Sequence, residues 1–444
     1  MDMKRICFAV LLLTVLCVPA GAADMPTEVF TVSQAVAEAI ANNPAVREVE
    51  ATIDSASSAA RSAMAGRLPQ ASVNYSYTGL SETPVMKSNG QRVPVSAKDQ
   101  YHWDITIAQP LFTGFALSSK LGIAKLDVVI RQMEKDQTIL TLARDVKIAC
   151  YRLLLAEKLR MVSEDEVQAL TAHRHDSDVF YRQGLIPLND LLEADVALAN
   201  AVQGLARANA DVKKAKADLN TLLNRGVMNP IRLEDLDNAP PQSFKFDPLG
   251  RAALENRPEL KALYSSAEQL GLAEKLAKSS WYPEISLAGH YEQNGDEPNA
   301  GSNDYANSHN SSISIQATWT FWDSGKTRAE IAQARHDLKA LEATIRTVEN
   351  QIHLEVQNAI LECEVAWENI GTASKALEQA RENWRLTNMR FQQQVDTSTD
   401  VLDARSFRTQ ADTNYFRALY GYLGALAELD RSTGRKPKAP YQTE

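Results

Sequence analysis

IAQARHDLKALEATIRTVENQIHLEVQNAILECEVAWENI, residues 331–370, carries an apolar residue at every seventh position. Ile331, Leu338, Ile345, Ile352, Ala359 and Ala366 form the series, and Ala373 and Ala380 continue it. Ala334, Leu341 and Val348 join at three residues on, and Ile370, Leu377 and Trp384 join later. A seam kept for about eight heptads is the pattern of helices packed as in a coiled coil. From Asn299 to Lys436 there is no proline, and Gly371 is the only glycine between Lys326 and Tyr420. One helix is therefore expected from Lys326 to about Gln393, roughly 100 Å long at the α-helical rise. No globular core needs a helix of that length.

The chain contains the same design earlier. No proline lies between Leu111 and Ile186, and no glycine between Ile123 and Gln183, so Phe115 to Gln183 reads as a second long helix. Leu142, Ala149, Ala156 and Leu170 fall on one seven-residue series there, interrupted by Ser163. Other markers repeat in the same order. Ala39–Pro44 (AIANNP) is answered by Ala253–Pro258 (ALENRP), and Pro69 by Pro283, each 214 positions on. Gly114 and Gly325 differ by 211, and Asp190/Glu193 and Asp400/Asp403 by 210. The chain is an internal duplication with small insertions.

Each half opens with an Ala-rich helix, carrying Val36, Ile40, Val46, Val49 and Ile53 in the first and running from Leu249 to Lys278 in the second. The Asn-x-Pro within it suits a helix start or kink. Pro69 and Pro283 then end the helix and begin extended structure. Two alternating segments follow in each half: Val73, Tyr75, Tyr77 and Trp103, Ile105, Ile107, then Ile285, Leu287, Tyr291 and Ile313, Ile315, Ala317, Trp319, Phe321. Period-two alternation marks half-buried strands, separated here by polar loops at 80–100 and 294–310. A soluble sandwich and an outer-membrane barrel both use such strands. Tyr101, Trp103, Phe112, Tyr291, Trp319, Phe321 and Trp322 near strand ends suit the barrel's aromatic girdles, although aromatics are common in strands generally.

Each long helix ends in a turn and a return helix. In YRQGLIPLNDLLEA (181–194) Gly184 suits a positive φ and Pro187 suits a helix start. The return helix covers Leu188 to Leu223, and its copy follows FQQQVDTSTDVLDA (391–404) to Arg431. Thr397 or Ser398 is a candidate N-cap, with Asp400 in the acidic first turn.

The ends and the balance of charge bound the function. Lys4 and Arg5, the apolar run Ile6–Val18 and the small residues after Pro19 read as a signal peptide, residues 1–22, with Cys17 lost alongside it. The first repeat then spans 23–225, a polar, Pro-bearing linker 226–248, the second repeat 249–431 and a tail 432–444. The formal charge of −9 becomes −10 on export, because Asp2, Lys4 and Arg5 are removed. An acidic chain without a basic cluster argues against nucleic acid as partner. Only Cys150 and Cys363 remain, which is no disulfide framework, and a single bridge between them stays open. The seven histidines are scattered, His173 and His175 point to different faces of a helix, and no phosphate loop or nucleophile elbow is present. No enzyme, cofactor or metal centre is expected.

These motifs together resemble the outer-membrane efflux proteins of the TolC type. The resemblance rests on ANNPAVR (41–47) with ENRPELK (255–261), RLPQ (67–70) with WYPE (281–284), QPLFTGF (109–115) with WTFWDSG (319–325), and the two tips. It covers nearly the whole mature chain. It implies a mainly α fold with a transmembrane β-barrel: four strands per chain in a shared 12-strand barrel, and long helices forming a trimeric tunnel in the periplasm of a Gram-negative bacterium. It also implies the partners, namely two further copies, outer-membrane lipid, a periplasmic adaptor and an inner-membrane pump driven by protons or ATP. Asp400 and Asp403 match the family's aperture positions, and six carboxylates in a trimer should favour cations and raise some of their own pKa values. Asp190 and Glu193 are their pseudo-equivalents, read as helix-capping residues. Gly184, Leu185 and Pro187, with Gln394 and Asp396 in the second turn, match the adaptor-contact tip, although Gln394 stands where a glycine is usual. A periplasmic coiled-coil scaffold with a small soluble sheet is the alternative.

Overall fold

The computed structural model describes residues 29–88, 90–235 and 244–436. The expected signal peptide at 1–22, part of the linker (236–243) and part of the tail (437–444) lie outside the described residues. The first repeat runs β1 (Val29–Phe30), α1 (Val32–Asn42), α2 (Pro44–Ala65), β2 (Gln70–Gly79), β3 (Val85–Ser88), β4 (Gln91–Pro94) and β5 (Asp99–Thr113), then α3 (Ala116–Arg182) and α4 (Leu188–Leu222). After β6 (Arg232–Leu233) the second runs α5 (Phe246–Asn256), α6 (Pro258–Lys278), β7 (Glu284–Gly295), β8 (His309–Thr318), α7 (Lys326–Gln392) and α8 (Ser398–Ser432).

The duplication holds to the residue in its longest parts. Helices α3 and α7 are each 67 residues long, and α4 and α8 are each 35. Every member of the seven-residue series on α7, from Ile331 to Ala380, is buried or half-buried. The seam faces α8 and α6, and near mid-height Val356, Ile360 and Cys363 widen the buried face. Each opening segment is two helices rather than one. Asn43 ends α1 with extended φ/ψ and caps α2, its side chain accepting from the Ala45 N–H at 2.9 Å, with Pro44 as the first helical residue. Arg257 does the same before Pro258 without a side-chain cap, and its buried guanidinium instead donates to Glu355 at 2.6 Å. The residue before a proline is pushed out of the α region, so a break is favoured over a kink.

Two apolar cores sit near mid-height of the long helices. One joins Val36 and Ala39 of α1, Val146 and Leu153 of α3 and Leu219 of α4 to Tyr420 and Leu423 of α8. The other joins Ala253, Leu260, Ile352 and Val356 to Tyr422 and Leu429. Helix α8 thus serves both cores from opposite faces, and its end is tied by Lys147–Asp430 (2.7 Å), Arg144–Glu428 (3.1 Å) and Arg431–Glu355 (3.2 Å). The segment read as a polar linker contributes to the first core. Ile231 and Leu233 are buried, and β6 pairs in parallel with β1. A two-residue strand has no alternation long enough to be legible in sequence. Cys150 and Cys363 lie one in each core as free, buried thiols, pushed up by burial to about 12 and about 11; they form no bridge.

Strands β2, β5, β7 and β8 make one antiparallel sheet in that order, the β5–β7 pair joining the two repeats. The register sets Val73 opposite Ile105, Tyr75 opposite Trp103, Ile105 opposite Tyr291, and Leu287 opposite Ile315. All the alternating apolar residues therefore share one face. That face is uncovered: Val73 is 72%, Ile315 71% and Ile313 83% exposed. The other face carries Asn74, His102, Asp104, Thr106, His290, Glu292 and Asn294, joined by bonds such as His102–Asn294 (2.7 Å) and Thr106–His290 (2.9 Å). Among the described residues neither β2 nor β8 has a partner on its outer side. No described helix is long and apolar enough to cross a membrane.

Two sequence expectations need correction here. The loop at 80–100 contains the β3–β4 hairpin, which pairs Val85 with Pro94 and Ser88 with Gln91. The stripe ending at Phe321 outlasts its strand: β8 stops at Thr318, and Trp319 donates its indole N–H to the Trp281 carbonyl at 3.2 Å.

Candidate functional site at the helical tips

The strand-to-helix junctions fix how the long helices leave the sheet. Pro69 and Pro283 each stand immediately before the first residue of a strand, β2 and β7. Each long helix is entered through two consecutive left-handed residues, Gly114 (φ +58°) and Phe115 (+72°) before α3, Ser324 (+56°) and Gly325 (+88°) before α7. Counted from the helix starts, Gly114 corresponds to Ser324 and Phe115 to Gly325. The two glycines are therefore not counterparts, as their sequence offset suggested. Each repeat relieves one of its two strained positions with glycine, and the choice at Gly114 is steric. A Cβ there would stand 2.4 Å from the Ser279 carbonyl, whereas one at Gly325 would meet nothing.

At the opposite end of the long helices, the two tips share one backbone design. Leu185 N–H donates to Phe180 O and Gly184 N–H to Tyr181 O, both at 2.9 Å; Val395 to Arg390 and Gln394 to Phe391 repeat the pair at 2.9 Å. This is the Schellman closure of a helix end, which places one residue in the left-handed region. Gly184 adopts φ +74° and Gln394 +59°. A glutamine there keeps the turn but carries strain of about 1 kcal/mol. Replacing Gln394→Gly should accordingly raise the stability of the tip by up to about 1 kcal/mol, read as a higher melting temperature. Among the exposed tip residues Leu185, Pro187, Leu188 and Val395 are apolar, and Arg390 holds Asp396 at 2.9 Å.

The acidic positions divide into different roles. Thr397 is the N-cap of α8: its hydroxyl accepts from Asp400 N–H at 3.2 Å, while Asp400 accepts from Thr397 N–H at 2.9 Å, a reciprocal capping box. These bonds from Thr397 hold the Asp400 carboxyl below its usual range. Within one chain the direction is opposite to that expected of a ring. Asp403 lies one turn on, exposed. The capping expected of Asp190 and Glu193 is not formed. Pro187 is the N-cap of α4 and no side chain caps it; Asp190 accepts from Asn189, and Glu193 accepts from the Thr399 hydroxyl at 3.1 Å, linking α4 to α8. Proline at the cap supplies no acceptor, which a reading of Asp190 by analogy overlooked.

Behind this exposed acid stands a buried brace that sequence reading missed. Arg405, 2% exposed, and Arg408 both donate to Asp165 of α3 at 2.9 Å, and Arg381 of α7 donates to Asp412 at 2.7 Å. Trp384 lies under the Arg408 guanidinium at 4.5 Å. The i, i+3, i+7 spacing of Arg405, Arg408 and Asp412 on one helix face was the available signal. His173 of α3 is also buried here, against Ser398 and Phe391. Among the described residues no cluster of His, Cys, Asp and Glu could hold a metal ion.

The chain has this architecture in common with solved channels at low sequence identity. It is similar to the outer membrane protein VceC of Vibrio cholerae (15% identity, 91% of this chain and 96% of that one, TM-score 0.77). It is also similar to the CmeC outer membrane channel of Campylobacter jejuni (11%, 93% and 87%, 0.79) and to the open state of the MtrE outer membrane channel of Neisseria gonorrhoeae (18%, 93% and 91%, 0.75). No curated protein sequence matches it. The profile of the outer membrane efflux proteins matches residues 35–225 and 249–435, the two repeats in turn. The chain belongs to the outer membrane efflux protein family.

Proposed function

We propose that three copies of this chain form an outer-membrane channel-tunnel, the passive exit duct of a tripartite efflux pump or a type I secretion machine. The observation that carries it is the sheet: four strands with an uncovered apolar face and two unpaired edges. Lipid covers such a face but does not tolerate such edges. Four strands are too few to close, since the smallest barrels have about eight, and three copies supply twelve. The polar face of His102, Asp104, His290 and Glu292 then lines the lumen.

The 67-residue helices continue the duct into the periplasm of a Gram-negative cell. Asp400 and Asp403, exposed at the start of α8, form the gate as six carboxylates around one aperture. The exposed turn residues Gly184, Leu185, Pro187 and Gln394, with the half-buried Asp396, meet a periplasmic adaptor, and an inner-membrane pump driven by protons or ATP supplies the energy. No catalytic step is needed.

Purified protein should require detergent for extraction, run as a trimer and give discrete conductance steps in planar bilayers. Extraction into plain buffer with no conductance would instead identify a periplasmic scaffold.

A further inference from the structure

His173 occupies the one place where α3, the end of α7 and the start of α8 meet. It is 5% exposed, and its Nε2 lies 2.9 Å from the hydroxyl of Ser398, the buried first residue of α8. Its ring packs 4.9 Å from Phe391, which packs in turn 5.5 Å from Phe180. Nδ1 has no hydrogen-bond partner, and neither has the hydroxyl of Ser177, buried one turn further along α3. The neutral imidazole is thus the only bonded polar link from α3 to the turn that carries Asp400 among the bonds described.

Protonation would demand what this place does not offer. In the tautomer whose Nε2–H donates to the Ser398 hydroxyl, a second N–H would appear at Nδ1 with nothing to accept it. The positive end of the α8 dipole lies beside Ser398. Around it, Arg174 is paired with Asp195 of α4, Asp178 with Arg182, Arg390 of α7 with Asp396, and Glu193 of α4 is bonded to Thr399. Asp400 is occupied in its capping box and Asp403 faces solvent. Burial pushes the imidazole below its ordinary 6.5, and Asp176 alone opposes that.

We propose that His173 is a proton-operated latch on the periplasmic tip: neutral, it ties the first turn of α8 to α3; protonated, it releases Ser398 and the tip opens. The proposal rests on the reading of this tip as the gate. The sign follows from linkage. The closed tip binds fewer protons than an open tip whose imidazole is hydrated, so closure is favoured at high pH and lost as pH falls below 6.5. If the open-tip imidazole has its ordinary affinity and the closed-tip one takes up no proton, the open-to-closed ratio rises about tenfold per protomer between pH 7.5 and 5.5.

The test compares wild type with His173→Gln, whose terminal amide stands where Nε2 meets Ser398 but takes up no proton. Trimers in planar bilayers should show a higher open probability at pH 5.5 than at 7.5, by up to about tenfold for each protomer that must open, and His173→Gln should show no such rise. Hydrogen exchange of residues 173–182 and 398–405, compared at equal pH, should be faster in wild type than in the variant only at pH 5.5. An acid response retained by His173→Gln, or tip protection equal in the two proteins at pH 5.5, overturns the latch. A second substitution, His173→Asn, with melting at pH 7.5, guards against a folding defect. If neither protein conducts at any pH, the channel reading has failed, and the exchange comparison still decides the latch.

Discussion

Trimers carrying Asp400→Ala and Asp403→Ala together should lose their preference for cations, with the cation-to-anion permeability ratio falling by about tenfold or more. Block by divalent ions added from the tip side should disappear as well. A cleft lined by one sign of charge concentrates counter-ions by such factors, and in the proposed trimer six carboxylates at one aperture would be the source of that field. Both side chains are exposed in the single chain, so their charge is available to the aperture. The complication is that Asp400 also closes a capping box with Thr397. Thr397→Ala separates the two roles, because it removes the cap at a cost of about 1 kcal/mol and leaves both charges in place. Reversal potentials in a salt gradient should therefore shift for the aspartate pair and stay for Thr397→Ala, while melting temperature falls for both. Unchanged selectivity in the double variant would leave Asp400 a helix-capping residue alone and Asp403 a solvated surface acid.

Gly114→Ala should cost about 3 kcal/mol or more and sharply reduce the yield of folded trimer. Two effects add at this position. The backbone is at φ +58°, and the new Cβ would lie 2.4 Å from the Ser279 carbonyl and 2.9 Å from Tyr282 Cβ. Those atoms belong to the turn between α6 and β7, so relief would have to move one repeat against the other. Gly325→Ala is the matched control, with the same kind of backbone (φ +88°) but open space around the added carbon. It should cost only about 1–2 kcal/mol. Thermal melting of the two variants side by side checks the argument. Equal losses would mean that backbone strain alone matters at these junctions and that the close approach to Ser279 yields easily.

Much of this architecture is legible in one dimension because its physics is periodic. The heptads from Ile331 to Ala380 predict α7 to within a residue or two, and the absence of proline and glycine predicts its length. The prolines at 69 and 283 mark the strand starts, because a residue without an N–H is tolerated at a strand's first position and not within its ladder. Short or reciprocal features were not legible. The two-residue β1 and β6 have no period to detect, and the apparent pairing of Gly114 with Gly325 failed because a two-residue left-handed entry needs glycine at either position. The arginine brace and His173 depend on α3, α7 and α8 meeting at one height, which no local pattern encodes.

The sequence by itself determined the duplication, the long paired helices, the alternating strands and the acidic start of α8, since each follows from local spacing of apolar, polar and turn residues. Only the tertiary structure decided that the apolar stripes of β2, β5, β7 and β8 share one uncovered face, because register is a relation between strands. Only it decided that Glu193 is an inter-helix link, and that His173 rather than His175 is buried against α8. Those assignments turn on side chains that reach one another from 206 and 225 residues apart in the chain, and distance in sequence carries no record of distance in space.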